Sequence, residues 1–186
     1  VKGNYGAMYW AVQVFRFEND PPERCTGAPR EPHPVPLGAR DEVIACLTRA
    51  VPEIVWERHP SGLAWADQVD DWIDAGKLTE FARPYAQSLR QGIGEREVTI
   101  GRYDHDNVHV RLSGFDLDPV KQLFLSIWGD GCPMAFLRSI AQSHGWHAYW
   151  DVDGHRIDLK SSSSWDRFRR YRGEGPDEPT LGHNWS

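Results

Sequence analysis

His144, His147 and His155 stand close in sequence to Asp151, Asp153 and Asp158. Imidazole nitrogens and carboxylate oxygens at short spacing are what a metal site needs, and a metal held there would make this stretch the centre of a metal-dependent enzyme. Local structure explains the same residues differently. His147 and His155 fall on opposite arms of a hairpin whose turn is Asp151-Val152-Asp153-Gly154, and Asp and Gly are the residues such a turn needs anyway. The Asp-x-Asp-Gly fragment lacks the later ligands and the bidentate Glu of a calcium loop. The hairpin reading is preferred, so no metal ligand is assigned.

The same reasoning covers His105 and His109, which flank the Asp104-His105-Asp106-Asn107 connection. Turn chemistry accounts for Asp104 and Asn107 without a ligand. No G-x-S-x-G elbow is present, and none of Cys25, Cys46 and Cys132 has the helix-start or basic neighbourhood that favours a thiolate. Phosphate loops of the Walker or Rossmann type are absent. No catalytic residue and no cofactor are therefore assigned.

Two charged stretches remain. Asp67, Asp70, Asp71 and Asp74, with Trp65 and Trp72, form an acidic and aromatic patch, while Arg167, Arg169, Arg170 and Arg172 make the last helical stretch basic. Either can be an ordinary solvated face. The acidic patch is the better candidate for binding a partner, because aromatic anchors ringed by charge supply both affinity and steering.

The elements that must position these groups are legible in part. From Lys121 to Tyr171 the chain reads as one unit. Leu123, Leu125 and Ile127 alternate with Phe124, Ser126 and Trp128, the period of a strand. Gly129 and Gly131 break it, and Pro133 opens a helix whose apolar stripe is Phe136, Leu137, Ile140 and Ala141. Gly145 ends that helix, the hairpin follows, and Ser164 is placed to cap a final helix. Upstream, 8–17 is a strand with Trp10, Val12 and Val14 on one face and Tyr9, Ala11, Gln13, Phe15 and Phe17 on the other, expected to be covered on both sides. Residues 19–38 are rich in Pro and read as an extended surface loop. Val43, Ile44, Leu47 and Val51 mark an amphipathic helix ended by Pro52. The 56–68 stretch reads as turn-like around Pro60-Ser61-Gly62. Beyond it, Leu78, Phe81, Tyr85 and Leu89 could line a helix that Pro84 must kink or start. Two alternating segments on either side of Asp104–Asn107 then lead through 116–119 into the strand at Leu123, and short polar turns favour antiparallel neighbours. The expected class is α+β: one domain over 8–172, with an antiparallel sheet of about five to six strands and about three to four helices. Val1–Ala7 reads as an expression-tag remnant, and 173–186 as a flexible tail.

The 186 residues carry a net charge of −6 and nine Trp. The acidic balance argues against nonspecific nucleic-acid binding. No apolar run approaches a membrane span and no secretory signal is visible. An odd number of cysteines without C-x-x-C spacing fits free thiols in a reducing cytoplasm.

The segments LFLSIWGDGCP, SHGWHAYW, DVDGHRIDL and SSSSWDRFRRYR together resemble small α+β bacterial immunity proteins of polymorphic toxin and type VI-delivered systems. The resemblance covers the last third of the chain and rests on core residues. It implies an antitoxin that binds and neutralises a cognate toxin, by occluding its active site or blocking a motion it needs. Were that toxin a nuclease, the Asp67, Asp70, Asp71 and Asp74 carboxylates could imitate phosphates in its basic active site. The competing readings are the metal-dependent enzyme above and a structural or adaptor module of a secretion or phage apparatus.

Overall fold

Side chains that alternate in polarity put one face of a strand against a core, and Trp10, Val12 and Val14 do this in β1 (Trp10–Phe15), where all three are buried. The computed structural model describes residues 9–25, 32–79, 82–90, 97–141 and 144–171. The expectations for Val1–Ala7, for Arg172 and for the 173–186 tail lie outside the described residues. After β1 come α1 (Arg40–Ala50), β2 (Val55–Pro60), α2 (Gly62–Asp74), α3 (Arg83–Leu89), β3 (Glu97–His105) and β4 (Val108–Ser113). The chain continues with β5 (Leu123–Trp128), α4 (Met134–Ala141), β6 (His147–Trp150) and α5 (Ser163–Tyr171). The strands form one six-stranded sheet in the order β2-β3-β4-β5-β1-β6, antiparallel at every step. The expected α+β class and antiparallel sheet are what the chain forms.

Register decides which residues share a face. Trp10 is opposite Ile127, Val12 lies between Leu125 and Trp150, and Val14 lies between Leu123 and Ala148. Val110 and Leu112 of β4 extend these rungs toward β3. This face is buried together with Val43 and Leu47 of α1, Phe136, Leu137 and Ile140 of α4, and Trp165 and Phe168 of α5. α1 is further tied to β2 by the Trp56 indole N–H, which donates to Thr48 Oγ1 at 2.8 Å.

Three segments depart from the sequence reading. The stretch read as turn-like contains β2, an edge strand. Val55 is 59% exposed and the strand is charged through Glu57, Arg58 and His59, so no apolar alternation announces it. Pro60 is tolerated because it closes an edge. The ambiguous Asp-rich stretch divides into α2 and α3, with Pro84 in the first turn of α3. Ala66, Val69, Ile73 and Ala86 are buried between them, whereas Leu78 is exposed. The inner-face roles expected of Phe81, Tyr85 and Leu89 lie outside the described residues. Finally, the Pro-rich loop is more than a surface excursion. Its first part pairs with the hairpin arm, Cys25 donating to the Gly154 carbonyl and Arg156 donating to the Glu23 carbonyl, each at 2.9 Å. Its last part is stitched to Arg16 and Val120, with Leu37 in the core. An extended Pro-rich chain still has donors and acceptors to satisfy, and a sheet edge is where they find partners.

Candidate partner-binding face

The second face of the sheet is set by the residues between the buried ones. One rung runs Val55, Arg102, Arg111, Ser126 and Ala11 across five strands. The next pairs Glu57 with Ile100, then Ser113, Phe124, Gln13 and Tyr149 in turn. A third aligns Asp104, His109 and Trp128. Coverage was expected on both sides of β1, yet the second side of the sheet is closed only at its two ends, where Ile100 is buried near the start of α2 and at β6. There Phe15, Phe17 and Tyr149 cluster with Cys25, and the Tyr149 hydroxyl donates to the Pro22 carbonyl at 2.9 Å. Elsewhere the face is open: Phe124 is 40% and Trp128 36% exposed, and Tyr9 also stands clear.

Electrostatics on this face are organised in a line. Arg102 donates to Glu57 at 3.3 Å and to Asp104 at 3.0 Å, and Asp104 lies 2.7 Å from His109 Nδ1. The His109 ring and then the Arg102 guanidinium hold the Asp104 carboxyl below the usual carboxylate range. His109 also stacks on Trp128, centroids 5.8 Å apart. Arg111, on the neighbouring rung, is exposed and forms no ion pair among the described residues. A guanidinium beside exposed aromatic rings on a rigid sheet is the composition of a binding hot spot.

A cleft of about 270 Å³ opens on this face where β2 meets α2. Ser61 lines it, only 2% exposed, and its Oγ has no hydrogen-bond partner among the described residues. Ser61 is also the N-cap residue of α2, yet its side chain makes no capping bond. A buried hydroxyl left in this state costs about 1–3 kcal/mol.

The acidic candidates occupy α2, and the structure brings three of the four carboxylates to α3. Arg90 donates to Asp67 at 3.1 Å and to Asp70 at 2.6 Å, and Arg83 lies 3.5 Å from both Asp70 and Asp74. Asp71 is exposed, as is Trp65 at 50%, while Trp72 is half-buried. The patch thus offers less free negative charge than its sequence suggests, because Arg83 of α3 and Arg90 just past its end are the neutralising cations.

The His/Asp hairpin is held together by structural bonds. Arg24 Nε donates to His155 Nε2 at 2.9 Å, which leaves the ring proton on Nδ1, 3.0 Å from Asp153. Arg167 binds Asp153 at 2.6 Å while its guanidinium lies over the Trp150 ring, so the basic helix docks on an acidic neighbour within the fold. Asp151 accepts a hydrogen bond from Gln13, and Asp158 accepts from the Lys160 N–H and the Ser161 hydroxyl. His147 packs against Phe17 instead, and burial followed by the nearby Arg156 charge lowers its pKa. Among the described residues no three His, Cys, Asp or Glu side chains are grouped as metal ligands, and no helix is long and apolar enough to cross a membrane.

The open face was not singled out from the sequence. Its one available signal was the half-apolar second side of β5, where Phe124 and Trp128 alternate with the core residues. Comparison of the chain with family models, with curated proteins and with solved structures finds no match.

Proposed function

We propose that this chain is a binding protein that neutralises a cognate bacterial toxin by occluding it, and that the open face of the sheet makes the contact. The observation that carries the proposal is the asymmetry of the sheet. One face is buried under α1, α4 and α5, while the other presents Phe124, Trp128, Tyr9 and Arg111, which makes no ion pair among the described residues. Groups fixed on strands lose little conformational freedom on binding, so more of their contact energy survives as affinity. The partner class rests on the resemblance of the last third of the chain to immunity proteins, and that segment includes Phe124 and Trp128. Phosphate mimicry by α2 has weaker support, since Arg83 and Arg90 already hold Asp67, Asp70 and Asp74.

The test is to co-express the chain with the product of the adjacent gene, score growth rescue, and measure affinity in the purified complex. Phe124→Ala and Trp128→Ala are expected to weaken binding about tenfold or more each, with Trp65→Ala and Asp71→Lys within about twofold of the parent. The reverse pattern moves the interface to α2. No toxicity, no rescue and no complex removes the reading, and self-association without a toxin complex favours an adaptor module.

A further inference from the structure

We infer that His155 is a pH-operated latch: on taking up a proton its ring releases Arg24, and with it one end of the strap that residues 21–25 form along the hairpin arm. The latch is independent of which partner the open face takes. Arg24 Nε donates to His155 Nε2 at 2.9 Å, a bond that only a neutral imidazole can accept. The other ring nitrogen, Nδ1, is buried and lies 3.0 Å from Asp153 Oδ2. Protonation turns Nε2 into a donor, so two N–H groups and two positive charges then face each other across that contact. Asp153 decides which of them withdraws. Burial alone would raise the pKa of its carboxyl, but the His155 backbone N–H and ring, with Arg167, hold it below the usual carboxylate range. It keeps its charge and retains the imidazolium, while Arg24, already exposed, moves out into water.

The other charges around this contact are committed elsewhere. Among the described residues, Arg167 of α5 reaches it only through Asp153, Arg156 on the same arm is held by Glu23 and the Pro21 carbonyl, and Asp151 accepts from Gln13. His147 packs on Phe17 and, through burial and the Arg156 charge, stays neutral to lower pH, so its titration is separate. The remaining pins of the strap need no imidazole: Cys25 N–H to the Gly154 carbonyl, Arg156 N–H to the Glu23 carbonyl, and the Tyr149 hydroxyl to the Pro22 carbonyl. The strap therefore loosens from its Arg24 end and does not detach. Cys25 of the strap, Gln13 and Phe15 of β1 and the hairpin turn line a hollow of about 560 Å³. Loosening the strap widens this hollow, at the β6 end of the open face.

The experiment is amide hydrogen exchange on the whole chain at about pH 8 and 5, corrected for intrinsic rates, with the His155 ring followed by NMR across the same range. Protection of the Cys25 and Arg156 amides, which make the strap's backbone bonds, is expected to fall about fivefold at the lower pH. The fall should track the His155 ring, while the Val12 and Leu125 amides of the central strands stay unchanged. His155→Gln still offers Arg24 an acceptor but takes up no proton, so protection should stay high at both pH values. Arg24→Ala should lower it at both and remove the pH dependence, and His147→Gln should leave the fall as in the parent. Equal protection at both pH values in the parent, a fall that survives in His155→Gln, or one shared by the central-strand amides would each overturn the latch. Parent-like behaviour of Arg24→Ala, or a fall abolished by His147→Gln, would do the same.

Discussion

The Trp10 indole stacks on the Phe168 ring with centroids 5.3 Å apart and planes 18° apart, so the first described strand is clamped by the last helix. Trp165 lies 5.8 Å from the same indole, and Trp150 meets Phe168 edge-on at 6.2 Å. Phe168→Ala therefore opens a cavity among three indoles and is expected to cost about 3–5 kcal/mol. Arg170→Ala, exposed on the same helix, should stay within about 0.5 kcal/mol. Urea unfolding of both variants checks the contrast.

Where the β3–β4 turn meets the loop after β5, the backbones nearly touch. Gly131 donates to the Asn107 carbonyl at 3.0 Å, and a Cβ on Gly131 would overlap the Asp106 carbonyl oxygen. A Cβ on Gly129, which has φ +101°, would overlap the Asn107 carbonyl oxygen. Gly129→Ala and Gly131→Ala should each lose about 2 kcal/mol or more. Gly145 also has positive φ but nothing among the described residues near a Cβ there, so Gly145→Asn should cost well under about 1 kcal/mol. Thermal unfolding of the three variants separates the cases.

His147 carries a pH dependence whose sign follows from its lowered pKa. The unfolded chain takes up a proton near pH 6.5 while the folded imidazole stays neutral to lower pH. Its contribution is complete above the unfolded value and is lost as pH falls toward the folded one. His147→Gln should flatten the change in urea midpoint between about pH 7.5 and 5.5, and an equally steep profile would contradict this.

The acid limb belongs to carboxylates. Asp104 is lowered by the His109 ring and then Arg102, and Asp158 by the Lys160 backbone N–H and then the Ser161 hydroxyl. For a depressed carboxylate the stabilisation is present above its unfolded pKa, near 3.9, and disappears as pH falls through the lower folded value. The Asp104→Asn, Asp158→Asn double variant should be less stable at neutral pH and lose less between about pH 4 and 2. Midpoints measured across that range give the answer.

The elements most legible in the sequence were those whose apolar period is strong. The alternation of Trp10, Val12 and Val14, that of Leu123, Leu125 and Ile127, and the helical stripe of Phe136, Leu137 and Ile140 each describe a segment that must bury one side, whatever it packs on. The hairpin around Gly154 was equally readable, because a positive φ demands few residue types. β2 was missed because an edge strand gains its pairing from β3 and shows no pattern of its own. The candidate site illustrates the other limit. Sequence spacing gathered four Asp on one stretch, but only tertiary packing brought Arg83 of α3 and Arg90, the residue after it, across to hold three of them. In the same way Val55, Arg111, Phe124 and Gln13 are unremarkable in their own segments. Strand order and register, which depend on contacts distant in the chain, are what set them side by side on one open face.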